Sequence, residues 1–410
     1  MRDGGRIAAA IGVLTDIEAR HKPVRMALKN WGESARYAGA KDRAFVSGLV
    51  LDCLRRRRSL AWRMGDNSDR AGALAALRFE WRWALERLVE GAGGNHGPGA
   101  LTDAETLRLT EPLDLADAPD SVRGDYPDWL DPYMARVFGP DRALEGESLA
   151  ERAPVDVRVN SLKSDLGRAL KALEPFRAHP VGQANLALRI DPPAAADRAA
   201  PVEAAPEFEK GWFEVQDVGS QIAAATAGEV KGKQVLDFCA GGGGKTLALA
   251  ASMGNSGQLY AYDSDARRLS DTVRRAQRAG VRNLQVRSPI HADALIGLED
   301  KMDLVFVDAP CTGSGTWRRH PDAKWRLTPE QLVRRMAEQD AVLSGAAPYV
   351  KPGGRLIFVT CSLFAEENED RIAAFVETHP KFNIAGEPTR LTPRRDQTDG
   401  FFIATLERRH

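Results

Sequence analysis

The sequence predicts an α/β protein whose second half is a doubly wound, largely parallel sheet. Three observations predict it. From about residue 208 short apolar runs, `QVLDF`, `QLYAYD`, `LQVRS`, `LVFVD` and `RLIFVT`, alternate with helical stretches such as `KTLALAASM`, `ARRLSDTVRRAQRAG` and `EQLVRRMAEQDAVLSGAAPYV`. The runs are apolar throughout rather than alternating, as parallel strands covered on both faces are. The residues just beyond them are rich in glycine, cysteine and aspartate, and it is beyond the carboxyl ends of such strands that a ligand sits.

Ahead of this half the chain divides into three further parts. Residues 1–95 carry apolar positions at helical spacing, Phe45, Leu49 and Cys53 beside Val46, Val50 and Leu54, and predict an all-helical domain. Its `LRRRRSLAWRMG` reads equally as a solvated helix end and as a phosphate grip beside an aromatic ring. The glycine-rich `GAGGNHGPGA` breaks the periodicity as a linker does, and 96–147 reads as linker and short helices such as `YPDWLDPYMARVFG`. Residues 148–207 predict a small α+β unit: strand `VDVRVN`, helix `LGRALKALEPF`, strand `LALRI`, then an exposed `DPPAAADRAAPVEAAP`. The α/β domain takes 208–410.

Composition excludes several classes. The chain has 410 residues, enough for several cores, and 57 basic residues against 57 acidic, so only local clusters could attract a polyanion. No run approaches the roughly 20 apolar residues of a membrane helix. Cys53, Cys239, Cys311 and Cys361 have neither zinc-site nor disulfide-scaffold spacing. These features predict reduced thiols, a cytoplasmic protein, no metal and no membrane partner.

The first loop of the α/β domain, `DFCAGGGGKT`, allows close backbone approach to a ligand. A phosphate-binding P-loop would need glycine at Cys239, and a dinucleotide fingerprint starting at Gly241 would need glycine at Thr246. S-adenosylmethionine, which has no pyrophosphate, asks less of the loop. Its candidate contacts are Cys239, Ala240, Gly241, Gly242, Gly243, Gly244 and Lys245, with Asp263 after the second strand for ribose hydroxyls, Asp293 in `HADAL` for the adenine amino group, and Asp308. Each aspartate alone reads as well as a helix cap; the series after successive strands favours the cofactor.

Cys311 and Cys361 follow the fourth and fifth strands, which are neighbours in the usual methyltransferase strand order. Two thiols beside a methyl donor suit methylation of cytosine at carbon 5. Addition of a thiolate to carbon 6 turns carbon 5 into an enamine-like nucleophile, and elimination restores the ring. Asp308, three residues before Cys311, is the candidate group for the ring nitrogen. Lone cysteines in α/β cores are usually packing residues, but two at adjacent strand ends beside Asp308 and Pro310 form a candidate catalytic set. Past Cys311, Arg318, Arg319, His320, Lys324 and Arg326 interleave with Trp317 and Trp325, a mixture that suits phosphate contact and base stacking. With the arginines at 55–58 and between 267 and 287 they suggest a basic track.

The segments `VQDVGSQ`, `DFCAGGGGKT`, `DAPCTGSGTWRRHPDAKW` and `VTCSLFAEENE`, in that order between 215 and 369, resemble the RNA cytosine-5 methyltransferases. Within them the chain is similar to the bacterial ribosomal RNA small-subunit methyltransferase B group (RsmB/Sun/Fmu). The resemblance implies a Rossmann-like S-adenosylmethionine domain, an RNA-recognition-like unit at `AERAPVDVRVNSLKSD` and a NusB-like helical domain around `DRAFVSGLVLDCLRRRRSLAWRM`. It implies Cys361 as nucleophile and Cys311 as the residue that helps release product; DNA cytosine-5 enzymes resemble the opposite assignment. The family usually has Ala-Pro where this chain has Gly241 and Gly242. The expected partner is RNA, 16S ribosomal RNA first. Transfer RNA, or a non-catalytic RNA-binding assembly factor, is the alternative.

Overall fold

The computed structural model describes residues 1–410 except Arg198, Ala199 and Ala292. Two residues of the predicted exposed connection and one of `HADAL` therefore lie outside the described residues. The chain forms two compact units. One comprises residues 1–152, a short stretch from Pro192 and, from much later in the chain, Trp317–Leu327; the other comprises Ala153–Asp191, Ala200–Thr316 and Thr328–His410.

The first unit is helical. Helices Asp3–Arg20, Ala40–Arg55, Asp69–Ala75, Leu85–Gly93 and Asp103–Thr110 contribute Ile7, Leu49, Leu74, Leu88 and Leu109 to one core. The predicted stripe of Phe45, Val46, Leu49, Val50, Cys53 and Leu54 is buried in it. The glycine-rich stretch is not a free linker. The helix Leu85–Gly93 runs into it, Gly99 N–H donates to Ala92 at 3.1 Å, and Arg70 donates to the carbonyls of Pro98, Gly99 and Ala100 while pairing with Glu105. A Cβ on Gly4 would stand 2.6 Å from the Gly91 carbonyl, so small residues here permit close approach of two helices.

Two predicted basic clusters meet in this unit, which corrects the surface-track reading for Arg55, Arg318 and Lys324, while His320 and Arg326 stay exposed. Arg55 pairs with Asp52 at 2.8 Å, Arg56 with Glu80 at 3.4 Å, Arg57 with Glu18 and Arg58 with Asp128. Lys324, 1% exposed, donates to the Arg55 carbonyl at 2.8 Å, and Trp325 Nε1 donates to the Leu54 carbonyl at 2.6 Å. Arg55 in turn donates to the Arg318 carbonyl, and Asp322 accepts from Val24 N–H at 3.2 Å. Trp317, Arg318 and Lys324 are buried, and burial pushes the Lys324 ammonium down to about 7. The tryptophans and bases here dock one stretch of backbone on another.

In the second unit the strands are β1 Val155–Val159, β2 His179–Pro180, β3 Ala187–Ile190, β4 Phe213–Val215, β5 Gln234–Asp237, β6 Gln258–Tyr262, β7 Leu284–Arg287, β8 Met302–Asp308, β9 Val350–Thr360, β10 Phe382–Ile384, β11 Thr389–Leu391 and β12 Phe401–Arg408. The first four make a small antiparallel sheet in the order β2-β3-β1-β4, over a core of Val157, Val159, Leu188, Ile190 and Phe213. The short strand β4 therefore pairs with β1.

The large sheet has the order β10-β12-β9-β8-β5-β6-β7, with β11 beside β12. Strands β5 to β9 are parallel, as predicted, and β12 runs antiparallel to β9 and pairs antiparallel with β10 and β11. The sequence reading lacked these last three strands; `FFIATLER` forms β12 and is buried along most of its length. Strand order reverses between β5 and β8, which opens a crevice at their carboxyl ends.

Candidate active site

The loop after β5 is shaped by glycine and tied from behind. Gly243 has φ 85°, and a Cβ there would stand 2.9 Å from Thr272 Oγ1. Ala240 N–H donates to Tyr262 at 2.9 Å, Gly241 N–H donates to Asp263 Oδ2 at 2.8 Å, and Gly241 and Gly242 carbonyls accept from Thr272 and Arg275. Asp263 is 3% exposed, also accepts from Asp265 N–H at 2.8 Å and lies 3.3 Å from Arg268. Its carboxylate thus fixes the glycine turn. Asp293 lies exposed in the turn region after β7.

Asp237, closing β5, is 1% exposed. One oxygen accepts from Thr246 Oγ1 at 2.6 Å, and the other has no hydrogen-bond partner among the described residues. Burial, reinforced by the charges of Asp308 and Asp263, pushes this carboxyl up to about 7. Burial also pushes the Cys239 thiol well up, which makes it a neutral packing side chain. Lys245, on the first turn of the following helix, donates to Asp308 Oδ2 at 2.7 Å. Burial works most strongly against its charge, but the charge and hydrogen bond of Asp308, with the further acidic groups around it, together raise the ammonium above its ordinary value.

The two predicted thiols meet. β8 and β9 are parallel neighbours with Asp308 opposite Val359, and Cys311 Sγ stands 3.3 Å from Cys361 Sγ. The hydrogen bond with Cys361, then burial, push the Cys311 thiol well up, so Cys311 keeps its proton. Side chains to which the sequence reading assigned no role hold the pair. Glu367, fully buried, accepts from Thr312 N–H at 2.8 Å, from Thr312 Oγ1 and from Ser362 Oγ, so one carboxylate ties the loop after β8 to the loop after β9. Ser314 Oγ lies 3.1 Å from Ser362 Oγ and accepts from Leu363 N–H, while Gly315 N–H donates to the Cys361 carbonyl at 2.9 Å. A Cβ on Gly315 would stand 2.2 Å from the Gly400 carbonyl, so only glycine fits this crossing. Gln339 donates to the Pro310 carbonyl at 2.9 Å. A signal for Glu367 was present in the quoted `VTCSLFAEENE`, but nothing local says which of its acidic residues turns inward.

The model of the family described as "16S rRNA methyltransferase RsmB/F" matches residues 226–407. A ribosomal RNA small subunit methyltransferase B from Erwinia tasmaniensis is 32% identical over 405 residues, covering 90% of this chain and 91% of that protein. The chain belongs to this methyltransferase family. Its counterpart of the same description in Citrobacter koseri is 29% identical over 402 residues, covering 89% of this chain and 91% of the relative. A crystal structure of a methyltransferase homologue from Pyrococcus horikoshii superposes with TM-score 0.60 at 27% identity, covering 72% of this chain and 100% of its own.

The methyl donor of this methyltransferase family, S-adenosylmethionine, carries a sulfonium and an ammonium. The crevice suits such a cation. Three carboxylates, Asp237, Asp263 and Asp308, act on one another there, and Asp237 has an oxygen without a partner. Among the described residues no group of three His, Cys, Asp or Glu side chains could hold a metal ion, and no helix is long and apolar enough to cross a membrane.

Proposed function

We propose that this methyltransferase forms 5-methylcytosine in RNA, with 16S ribosomal RNA as substrate, through a covalent bond between Cys361 and carbon 6 of the target cytosine. The observation that carries the reading is the 3.3 Å thiol pair at the ends of two adjacent parallel strands, beside the Lys245–Asp308 pair. S-adenosylmethionine supplies an electrophilic methyl group; the glycine loop 241–244, Lys245, Asp263, Asp293 and Asp308 would hold it.

Cys361 begins the reaction. As the Cys361 sulfur approaches carbon 6, its proton would pass to the Asp308 carboxylate that Lys245 holds at 2.7 Å. Addition of that sulfur to carbon 6 places negative charge on the ring, and the proton shared by Lys245 and Asp308 meets it at the ring nitrogen. Carbon 5 becomes nucleophilic and accepts the methyl group. Cys311, 3.3 Å from Cys361 Sγ, would give its proton to the departing Cys361 sulfur as it takes the hydrogen from carbon 5, and the ring nitrogen returns its own proton to the Lys245–Asp308 pair. The electrons of that C–H bond restore the double bond, and the Cys361–carbon 6 bond breaks.

The same reading takes the helical unit as NusB-like, supported by its all-helical core, and the four-stranded unit as RNA-recognition-like, supported by its antiparallel sheet. Its setting is the cytoplasm. The test separates the thiols: Cys361→Ala should abolish both methylation and covalent complex, whereas Cys311→Ala should accumulate a protein–RNA adduct seen as a slower band on a denaturing gel. An adduct that builds up in Cys361→Ala and vanishes in Cys311→Ala would reverse the two roles.

A further inference from the structure

A cavity of about 360 Å³ lies in the second unit, lined by the helices Val218–Ala225 and Gly244–Met253, by Arg158 of β1 and by the turn before β3. Ser161, Gln183 and Asn185 stand exposed at its mouth, and Arg158, on β1, lines it from within at 6% exposure. No acidic side chain lines it. The volume falls in the range of ordinary small-ligand sites.

Arg158 is a buried cation with little to neutralise it. Its Nε donates to Gln216 Oε1 at 2.7 Å, and among the described residues its guanidinium has no other hydrogen bond and no ion pair. Its cross-strand neighbour is Glu214, which would be its natural partner. That carboxylate is already taken by Arg275 at 3.0 Å and Arg278 at 2.6 Å. Three guanidinium groups therefore surround one carboxylate, and burial pulls the Arg158 group down to about 10. A buried charge left unpaired is costly, and a planar fork of free N–H donors matches the oxygens of a phosphate. Ser161 and Asn185 have no side-chain hydrogen bond among the described residues, which leaves a hydroxyl and an amide free at the mouth.

We propose that this cavity is an anion site that takes a phosphate group, with Arg158 as its floor and Ser161, Gln183 and Asn185 at its rim, and that the phosphate is one of the RNA backbone. The last clause rests on the RNA reading above; the anion site itself does not. Backbone phosphate here would help orient the substrate strand without reading its sequence.

The experiment measures binding of a short single-stranded, cytosine-containing RNA against salt for the wild type, Arg158→Gln and Asn185→Asp, with inorganic phosphate as a second probe in thermal denaturation. Asn185→Asp sets a carboxylate at an exposed rim position and does not threaten folding. The expected result is a several-fold weaker affinity for both variants, and for Arg158→Gln a salt slope shallower by about 0.7, the value for one lost phosphate contact on a single strand. Wild-type affinity and slope in both folded variants would overturn the site and leave the RNA reading intact. If the wild type itself binds no RNA, the RNA reading fails, and the phosphate probe decides: a melting temperature raised by phosphate in the wild type but not in Arg158→Gln upholds a site for free phosphate, and equal shifts overturn it.

Discussion

Asp237 shows how burial of one carboxyl stores a cost in the free protein. An aspartate titrates near 4 in an unfolded chain and at about 7 here, so between those values the folded protein binds a proton that the unfolded chain releases. Stability therefore falls as pH rises through that window, by about 1.4 kcal/mol per unit of difference between the two values, and the penalty is complete above pH 7. Asp237→Asn keeps an acceptor for Thr246 and removes the charge. It should raise the melting temperature of the free protein at pH 8, and the gain should shrink toward pH 5; a pH-independent change in thermal denaturation would refute the account. The clustering of the candidate residues Lys245, Asp308, Cys311 and Cys361 was legible in the sequence because each follows a strand or opens a helix. Asp237 and Glu367 were not, because their roles come from burial, which local sequence does not encode.

At the scale of elements, the loops after β8 and β9 act as one piece. Register between the strands brings them level, and Glu367 then holds Thr312 on one and Ser362 on the other. Glu367→Ala should leave these donors unpaired in a dry interior, at about 1–3 kcal/mol for a buried unsatisfied group. Its melting temperature should drop, and the rate of methyl transfer should fall more than substrate affinity does, because the loops hold thiols rather than bulk RNA contacts. Glu367→Gln, which keeps one acceptor oxygen, should lose less of both. Equal losses in the two variants would mean that shape, not hydrogen bonding, sets the loops. The parallel strands β5 to β9 were readable as apolar runs followed by helices. The antiparallel addition β10–β12 follows no such alternation, and `FFIATLER` alone does not say that it lies beside β9.

On the scale of the whole molecule, Trp317–Leu327 belongs to a unit built from the first 152 residues. A fragment beginning at residue 153 would keep the whole large sheet yet leave Lys324 and Trp325 without the Arg55 and Leu54 carbonyls, and Asp322 without Val24 N–H. It should expose apolar surface, read as dye binding and self-association, and addition of residues 1–152 in trans should suppress both. A monomeric fragment that binds no dye would refute this. The sequence by itself determined the sheet class, the glycine turn after β5 and the two thiols at neighbouring strand ends, because strand polarity and glycine spacing act over a few residues. Only the tertiary structure decided which charges are free. `LRRRRSLAW` reads equally as a solvated helix end and a phosphate grip, and `TWRRHPDAKW` as a nucleic-acid contact, until the fold buries Arg55, Arg318 and Lys324 against each other, whereas Arg158, unremarked in `VDVRVN`, keeps an unpaired charge because Arg275 and Arg278 reach its acidic neighbour first. Pairing and burial are set between residues distant in the chain, and there the pattern of any one segment is silent.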